Sequence, residues 1–241
     1  MMDPLSSSPR AADTSESKSH PPTQPELRLV TEPVWAPSAR DLMLATSAAR
    51  PFDRAGWLFE LKYDGFRVLA IRRGDQLRLL SRRGNDLLPC FPEVAACLRE
   101  LPDIVLDGEL VVLDEKGKPI FERVRRRART RKPTSVTAAA ERDPAAMFAF
   151  DVLSSGGKDV RKLPLVKRKQ IVQDALRGSP RIRPVRYVGE QGVRLYETAC
   201  ALQLEGIVAK LADAPYNAGR SREWLKIRTP HGRDVQAERS A

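Results

Sequence analysis

Residues 57–81 read WLFELKYDGFRVLAIRRGDQLRLLS, three short β-type runs (57–62, 66–73 and 76–81) separated by the turn signals Tyr63-Asp64-Gly65 and Arg73-Gly74-Asp75. This texture predicts an antiparallel meander. Downstream, a proline-opened helix is expected at 92–101, with Val94, Ala95 and Leu98 on one face. IVLDGELVVLD (104–114) reads as a long strand kinked at Asp107-Gly108, and 120–130 as a basic helix with an apolar stripe of Phe121, Val124 and Ala128. After a polar loop, AMFAFDVL ending at Leu153 reads as a buried strand. Helices at 165–176 and 190–202 then alternate with strands at 181–188, 205–211 and 223–228. The sum is an α+β domain built on two small antiparallel sheets with flanking helices.

Outward from this core the composition changes. The first 37 residues hold seven of the 19 prolines and many serines, a mixture that buries too little apolar surface to offset chain entropy. They are expected to be a disordered head, with some of 29–35 docking as an extended strand. The domain itself is expected at 38–230, followed by a polar tail at 231–241. The formal charge is +11, and because residues 1–40 net −1, the remainder carries +12. Such a field favours a polyanionic partner, nucleic acid first. Only two histidines occur, His20 in the head and His231 near the end, so Ser/His/Asp, Cys/His and His-based zinc chemistry is set aside. Cys90, Cys97 and Cys200 form no CxxC pair and no disulfide framework, which points to a reducing, cytoplasmic setting. No run approaches the ~18 apolar residues of a membrane span, so no membrane partner is expected.

A Walker A loop is absent, since Gly156-Gly157-Lys158 is followed by Asp159 and Val152 occupies the place of the first glycine. Taken alone, KYDGFR (62–67) is a hairpin turn. Five further segments follow it in order: SRRGND (81–86), DGELVVLD (107–114), FAFDVL (148–153), EGIVAK (205–210) and EWLKIR (223–228). With ELKYDGFR they make the chain resemble the adenylation domain of ATP-dependent DNA ligases, most closely the ligase module of bacterial non-homologous end-joining ligase D, from about Trp57 to Arg228.

The resemblance implies a covalent nucleotidyltransferase (ATP-grasp-like) fold and a lysyl-AMP intermediate at Lys62, formed from ATP with Mg²⁺ or Mn²⁺. Free lysine has a pKa of ~10.4, so presenting the amine at pH 7 costs about 4–5 kcal/mol, and neighbouring positive charge must lower that cost. Arg67, Lys226 and Arg228 are the neighbours implied for this. Arg67 would contact the nucleotide and Arg82 its ribose and phosphate side, while Glu109 would bind ribose hydroxyl or metal and Glu205 metal. Phe150 would stack on adenine, Glu60 would lie near it, and Lys210 would lie beside the phosphates. Two carboxylates suit a hard cation that keeps several waters.

Two departures from the family stand out. The last motif ends Lys226-Ile227-Arg228 rather than lysine-x-lysine, which keeps the charge but changes its geometry. Thirteen residues follow Arg228, too few for the OB barrel that completes these enzymes. The expectation is an OB-less ligase, sealing 5′-phosphorylated nicks or breaks in double-stranded DNA as a monomer; it is either naturally minimal, or completed by a clamp from Ku or another end-joining protein, or a fragment of a longer protein. For DNA, the run Arg125, Arg126, Arg127 and Arg129 is the leading contact, with a second cluster at Arg161, Lys162, Lys167, Arg168 and Lys169. An RNA ligase or capping guanylyltransferase shares the lysine-x-Asp-Gly core, and a non-catalytic DNA-binding accessory is the alternative of another class. An NAD-dependent ligase is disfavoured by the disordered composition of the head.

Overall fold

The computed structural model describes residues 37–239. In chain order its elements are β1 (Met43–Ser47), β2 (Trp57–Lys62), β3 (Phe66–Arg73), β4 (Gln76–Ser81), α1 (Pro92–Arg99), β5 (Ile104–Val112), α2 (Phe121–Arg129) and α3 (Pro133–Arg142). There follow β6 (Ala145–Ser155), β7 (Lys158–Asp159), α4 (Leu165–Ala175), β8 (Ile182–Pro184), β9 (Tyr187–Gly189), α5 (Gly192–Ala201), β10 (Gly206–Leu211), β11 (Gly219–Arg228) and α6 (Pro230–Glu238). The expected head, with its strand at 29–35, lies outside the described residues.

The strands form two sheets, one in the order β1-β11-β10-β2-β9 and the other β4-β3-β5-β6-β7, with β8 pairing on β6. Pairing is antiparallel except for two edge contacts, β1 on β11 and β8 on β6. The meander expected at 57–81 is therefore half right. β3 and β4 are a hairpin, but β2 pairs with β10 and β9 in the other sheet. Tyr63-Asp64-Gly65 is a crossing between sheets rather than a hairpin turn. Gly65 is required there by close approach, because a Cβ would lie 2.2 Å from the Leu110 carbonyl oxygen. The expected strand at 181–188 also divides, giving β8 to one sheet and β9 to the other.

Two expectations of irregular chain are corrected. The polar loop after α2 is the helix α3, opened by Pro133 at its first position, where a missing N–H costs nothing. The polar tail is the helix α6, N-capped by Thr229, whose side chain accepts from Gly232 N at 3.0 Å and donates to the Leu204 carbonyl at 2.6 Å.

β6 is buried along nearly its whole length, as its unbroken apolar run requires of a central strand, and it packs with β3, β5, α1, α2 and α4 in the larger core. A smaller core joins Phe59, Ile207, Ala209 and Ile227 of the other sheet to Ala199 of α5. Buried charge is matched: Asp151 pairs with Arg168 through two bonds of 2.7 and 3.0 Å.

Candidate active site

Period-two alternation puts functional side chains of three neighbouring strands in one array. On β2 the alternate residues are Glu60 and Lys62, on β10 Val208 and Lys210, and on β11 Trp224, Lys226 and Arg228. The registers align them into rows across the sheet: Lys62, Gly206 and Arg228; Glu60, Val208 and Lys226; Leu58, Lys210 and Trp224. The other sheet contributes Phe66 and Arg67 of β3, Glu109 of β5 and Phe150 of β6, and together they line a cleft of about 840 Å³. Arg82, Arg83 and Asn85 of SRRGND line it as well.

Phe150 reaches the cleft because of a β-bulge. Asp107 pairs with Asp151 and Gly108 with Ala149, so Phe150 is the residue left over, turned out of the ladder beside the Asp107-Gly108 kink that the sequence signals. Its ring meets Trp224 edge to face at 5.9 Å.

Lys62 Nζ donates to Glu205 Oε2 at 2.6 Å, and Arg228 Nε lies 3.6 Å from Glu205 Oε1. Glu205 thus bridges the expected nucleophile and the last cation of the final motif. Glu109 is held protonated to about pH 8, chiefly because it is taken out of water; Lys62 and Arg67 oppose that shift, while Glu205 and Asp64 add to it. Lys226 is lowered by burial first and then by Arg228, Lys62, Arg220 and Arg82. Lys62 therefore lies among charges of both signs, bonded to Glu205 and within electrostatic reach of Glu109 and Lys226.

The expected site residues Glu60, Lys62, Arg67, Arg82, Glu109, Phe150, Glu205, Lys210, Lys226 and Arg228 all line this one cleft. Two differ from expectation in detail. Arg67 spends Nε and Nη2 on Asp107 at 2.9 and 2.6 Å and a further bond on the Met43 carbonyl, so it is bonded into the wall. Lys210, expected beside the phosphates, pairs with Glu60 at 2.8 Å, between the rings of Phe150 and Trp224. Among the described residues no group of three or more His, Cys, Asp or Glu forms a ready metal site. Glu109 and Glu205 are close enough for Glu205 to raise the Glu109 pKa, and two carboxylates fit a hard cation completed by water and phosphate oxygens.

The arginine run divides. Arg127 is fully buried, bonded to both Glu93 oxygens and to the Cys90 carbonyl, and belongs to the core rather than to a DNA face. Arg126 pairs with Asp143 at 2.9 Å and Arg125 with Glu122 at 2.5 Å. Arg125, Arg129 and Arg131 line the cleft, and exposed Arg129 makes no ion pair among the described residues. In the second cluster Arg168 and Lys169 are buried and paired, leaving Lys162 and Lys167 exposed.

Trp224, Arg220 and Arg239 also line the cleft and were not singled out in the sequence. Trp224 was signalled by its place two residues before Lys226 on one strand face. Arg239 pairs with both Asp64 oxygens at 2.7 Å, a contact 175 residues long in sequence that no local pattern announces.

The family description "ATP dependent DNA ligase domain" matches residues 41–228. The chain belongs to this ligase family. Among its relatives is the SPbeta prophage-derived DNA ligase-like protein of Bacillus subtilis, 31% identical over 77% of this chain and 66% of the relative. A probable DNA ligase of Streptomyces avermitilis is 35% identical over 80% of this chain and 40% of its own length. The ligase domain also resembles the solved "mycobacterial DNA ligase D complexed with ATP and MES", with a TM-score of 0.63 and 27% identity over 78% of this chain and 59% of that one. It thus spans less than two thirds of the length of these proteins, and the match includes every strand and helix from β1 to β11. No helix among the described residues is long and apolar enough to cross a membrane.

Proposed function

We propose that this ligase domain attaches AMP from ATP to Lys62 and passes it to the 5′-phosphate of nicked or broken double-stranded DNA. The observation that carries the proposal is Lys62 Nζ, 2.6 Å from Glu205 in a cleft whose walls hold Arg82, Lys226 and Arg228. Lys62 Nζ attacks the α-phosphorus, a P–N bond forms, the bond to the bridging oxygen breaks, pyrophosphate leaves and the amine releases its proton. A DNA 5′-phosphate oxygen then attacks the same phosphorus and the P–N bond breaks. A 3′-hydroxyl finally displaces AMP, closing the phosphodiester bond.

Lys226, lowered by burial and then by its cationic neighbours, and Arg228 face negative charge that grows on the transferring phosphoryl group. Bound at Glu109 and Glu205, Mg²⁺ or Mn²⁺ would supply positive charge at the phosphate and compete with Lys62 for Glu205. Phe150 offers a flat face for adenine. A cytoplasmic monomer, and a clamp from Ku or another end-joining protein, are proposed on the resemblance to end-joining ligases alone.

The proposal is tested by following α-labelled ATP through the protein onto a nicked duplex. Label that appears first on protein and then on the 5′ end of DNA, and is released as AMP on sealing, is the expected course. Label that reaches nicked RNA but not nicked DNA would assign the domain to RNA ligation.

A further inference from the structure

Three charged side chains meet at one end of the cleft with no structural need for all of them. Glu60 of β2, Lys169 of α4 and Lys210 of β10 are at most 2% exposed. Glu60 Oε1 meets Lys169 Nζ, and Oε2 lies 2.8 Å from Lys210 Nζ. A single buried ion pair roughly breaks even against an apolar substitute, so a second ammonium on the same carboxylate adds cost without adding stability. Glu60 and Lys210 line the cleft, whereas Lys169 does not. Lys210 Nζ lies 4.3 Å from the Phe150 ring centre and 4.1 Å from that of Trp224, and it has no well-formed hydrogen bond among the described residues.

The cleft wall therefore presents an acceptor, Glu60, beside a donor, Lys210, next to the face of Phe150. Adenine carries a donor, its N6 amino group, beside the N1 acceptor; guanine carries O6, an acceptor, beside the N1–H donor. The pair matches one order and opposes the other. A polar site that leaves its own groups unpaired rejects the wrong ligand far more strongly than an apolar pocket does.

We propose that Lys169 is a positioning residue for nucleotide choice: by holding one Glu60 oxygen from behind, it fixes the other beside Lys210 in the order that adenine requires. This rests on the reading of Lys62 as the site of AMP attachment. Lys169 touches no nucleotide and acts through Glu60.

The charge of Lys210 gives a second readout. Burial lowers its pKa to about 8, Lys169 pushes the same way, and Glu60 and Asp151 oppose. Asp151 of β6 is itself bonded to Arg168 of α4, and Arg67 lies over the same Phe150 and Trp224 rings. Above about pH 8 Lys210 loses its proton, so the ATP concentration for half-saturation rises there. Removing the charge of Lys169 lets Lys210 hold its proton to higher pH.

The experiment is single-turnover transfer to Lys62 from ATP and from GTP, across pH 7 to about 9.5, in the parent, Lys169→Met, Lys169→Gln and Lys169→Arg. In Lys169→Met the half-saturating ATP concentration and the preference for ATP over GTP should each worsen by about tenfold, with the rate at saturation within about twofold. Lys169→Arg should keep the preference. Lys169→Gln, which keeps an uncharged donor facing Glu60, should keep the preference while the pH break moves upward, and it stands in if Lys169→Met fails to fold. A folded Lys169→Met with parental preference, or an unmoved break in Lys169→Gln, overturns the inference. A parent that forms no adduct with any nucleotide is instead the failure of the adenylation reading, and the inference falls with it.

Discussion

Arg127 and Arg129 stand two positions apart in one arginine run and do opposite things. On α2 the pair cannot share a face, so the periodicity that sends Val124 and Ala128 inward carries Arg127 with them, while Arg129 faces the cleft. Truncating Arg127 to Ala strands Glu93 and the Cys90 carbonyl, a loss of about 3–5 kcal/mol by analogy with broken buried pairs. The melting temperature should fall by on the order of 10 °C, and a change of only a degree or two would return Arg127 to the surface. Glu109 gives a pH test. An unfolded Glu109 ionises near its ordinary value, but the folded one stays protonated to about 8, so nucleotide-free stability declines as pH rises between those limits. Glu109→Gln should therefore melt above the parent at pH 8, by about 2–4 °C for each kcal/mol relieved, with the gap closing toward pH 5. A gap that widens on acidification contradicts the assignment.

At the scale of elements, the strands that carry motifs were legible because each is a compact local pattern: the β2 run, the kinked β5, the apolar β6 and the paired cations of β11. What the sequence did not show is partnership at long range. An Asp-Gly turn looks the same whether its strands pair or part, so β2 was placed beside β3 instead of beside β10. β1 was not anticipated, and its parallel pairing with β11 joins residues some 175 positions apart. α6 escaped because it docks through polar and backbone contacts instead of an apolar stripe. Gly232 packs so closely on Glu205 that a Cβ would lie 1.9 Å from its carbonyl oxygen, and Arg233 donates to the Arg228 carbonyl at 2.9 Å. The helix thereby abuts the backbone of Glu205, the residue whose carboxylate bonds Lys62. Gly232→Ala should displace Glu205 and slow AMP transfer to Lys62 by at least about tenfold, a loss the size expected for a misplaced catalytic group; parental rates would show that α6 is only a surface appendage.

At the scale of the whole molecule, the charge of +11 separates into parts with different tasks. Arg127, Arg168, Lys169 and Lys210 are buried and paired, and contribute little to a long-range field. On the proposed reading Lys62, Lys226 and Arg228 serve the nucleotide, which leaves exposed Arg125 and Arg129, lining the same cleft, for a DNA backbone. Reversing Arg125 and Arg129 to Glu should weaken nicked-duplex binding by at least about tenfold and reduce the slope of log affinity against log salt by about 2, with AMP transfer unchanged. Equal loss of both would place those arginines at the nucleotide instead. The division between nucleotide and DNA contacts depends on Lys62 being the nucleophile. The direct test is the intact mass of the full chain after incubation with ATP and Mg²⁺, beside Lys62→Ala and parallel samples with GTP and NAD. One added AMP from ATP, on the parent and absent from Lys62→Ala, is the predicted result. No adduct under any condition, including nicked DNA and AMP in the reverse direction, or an adduct that survives Lys62→Ala, would contradict it.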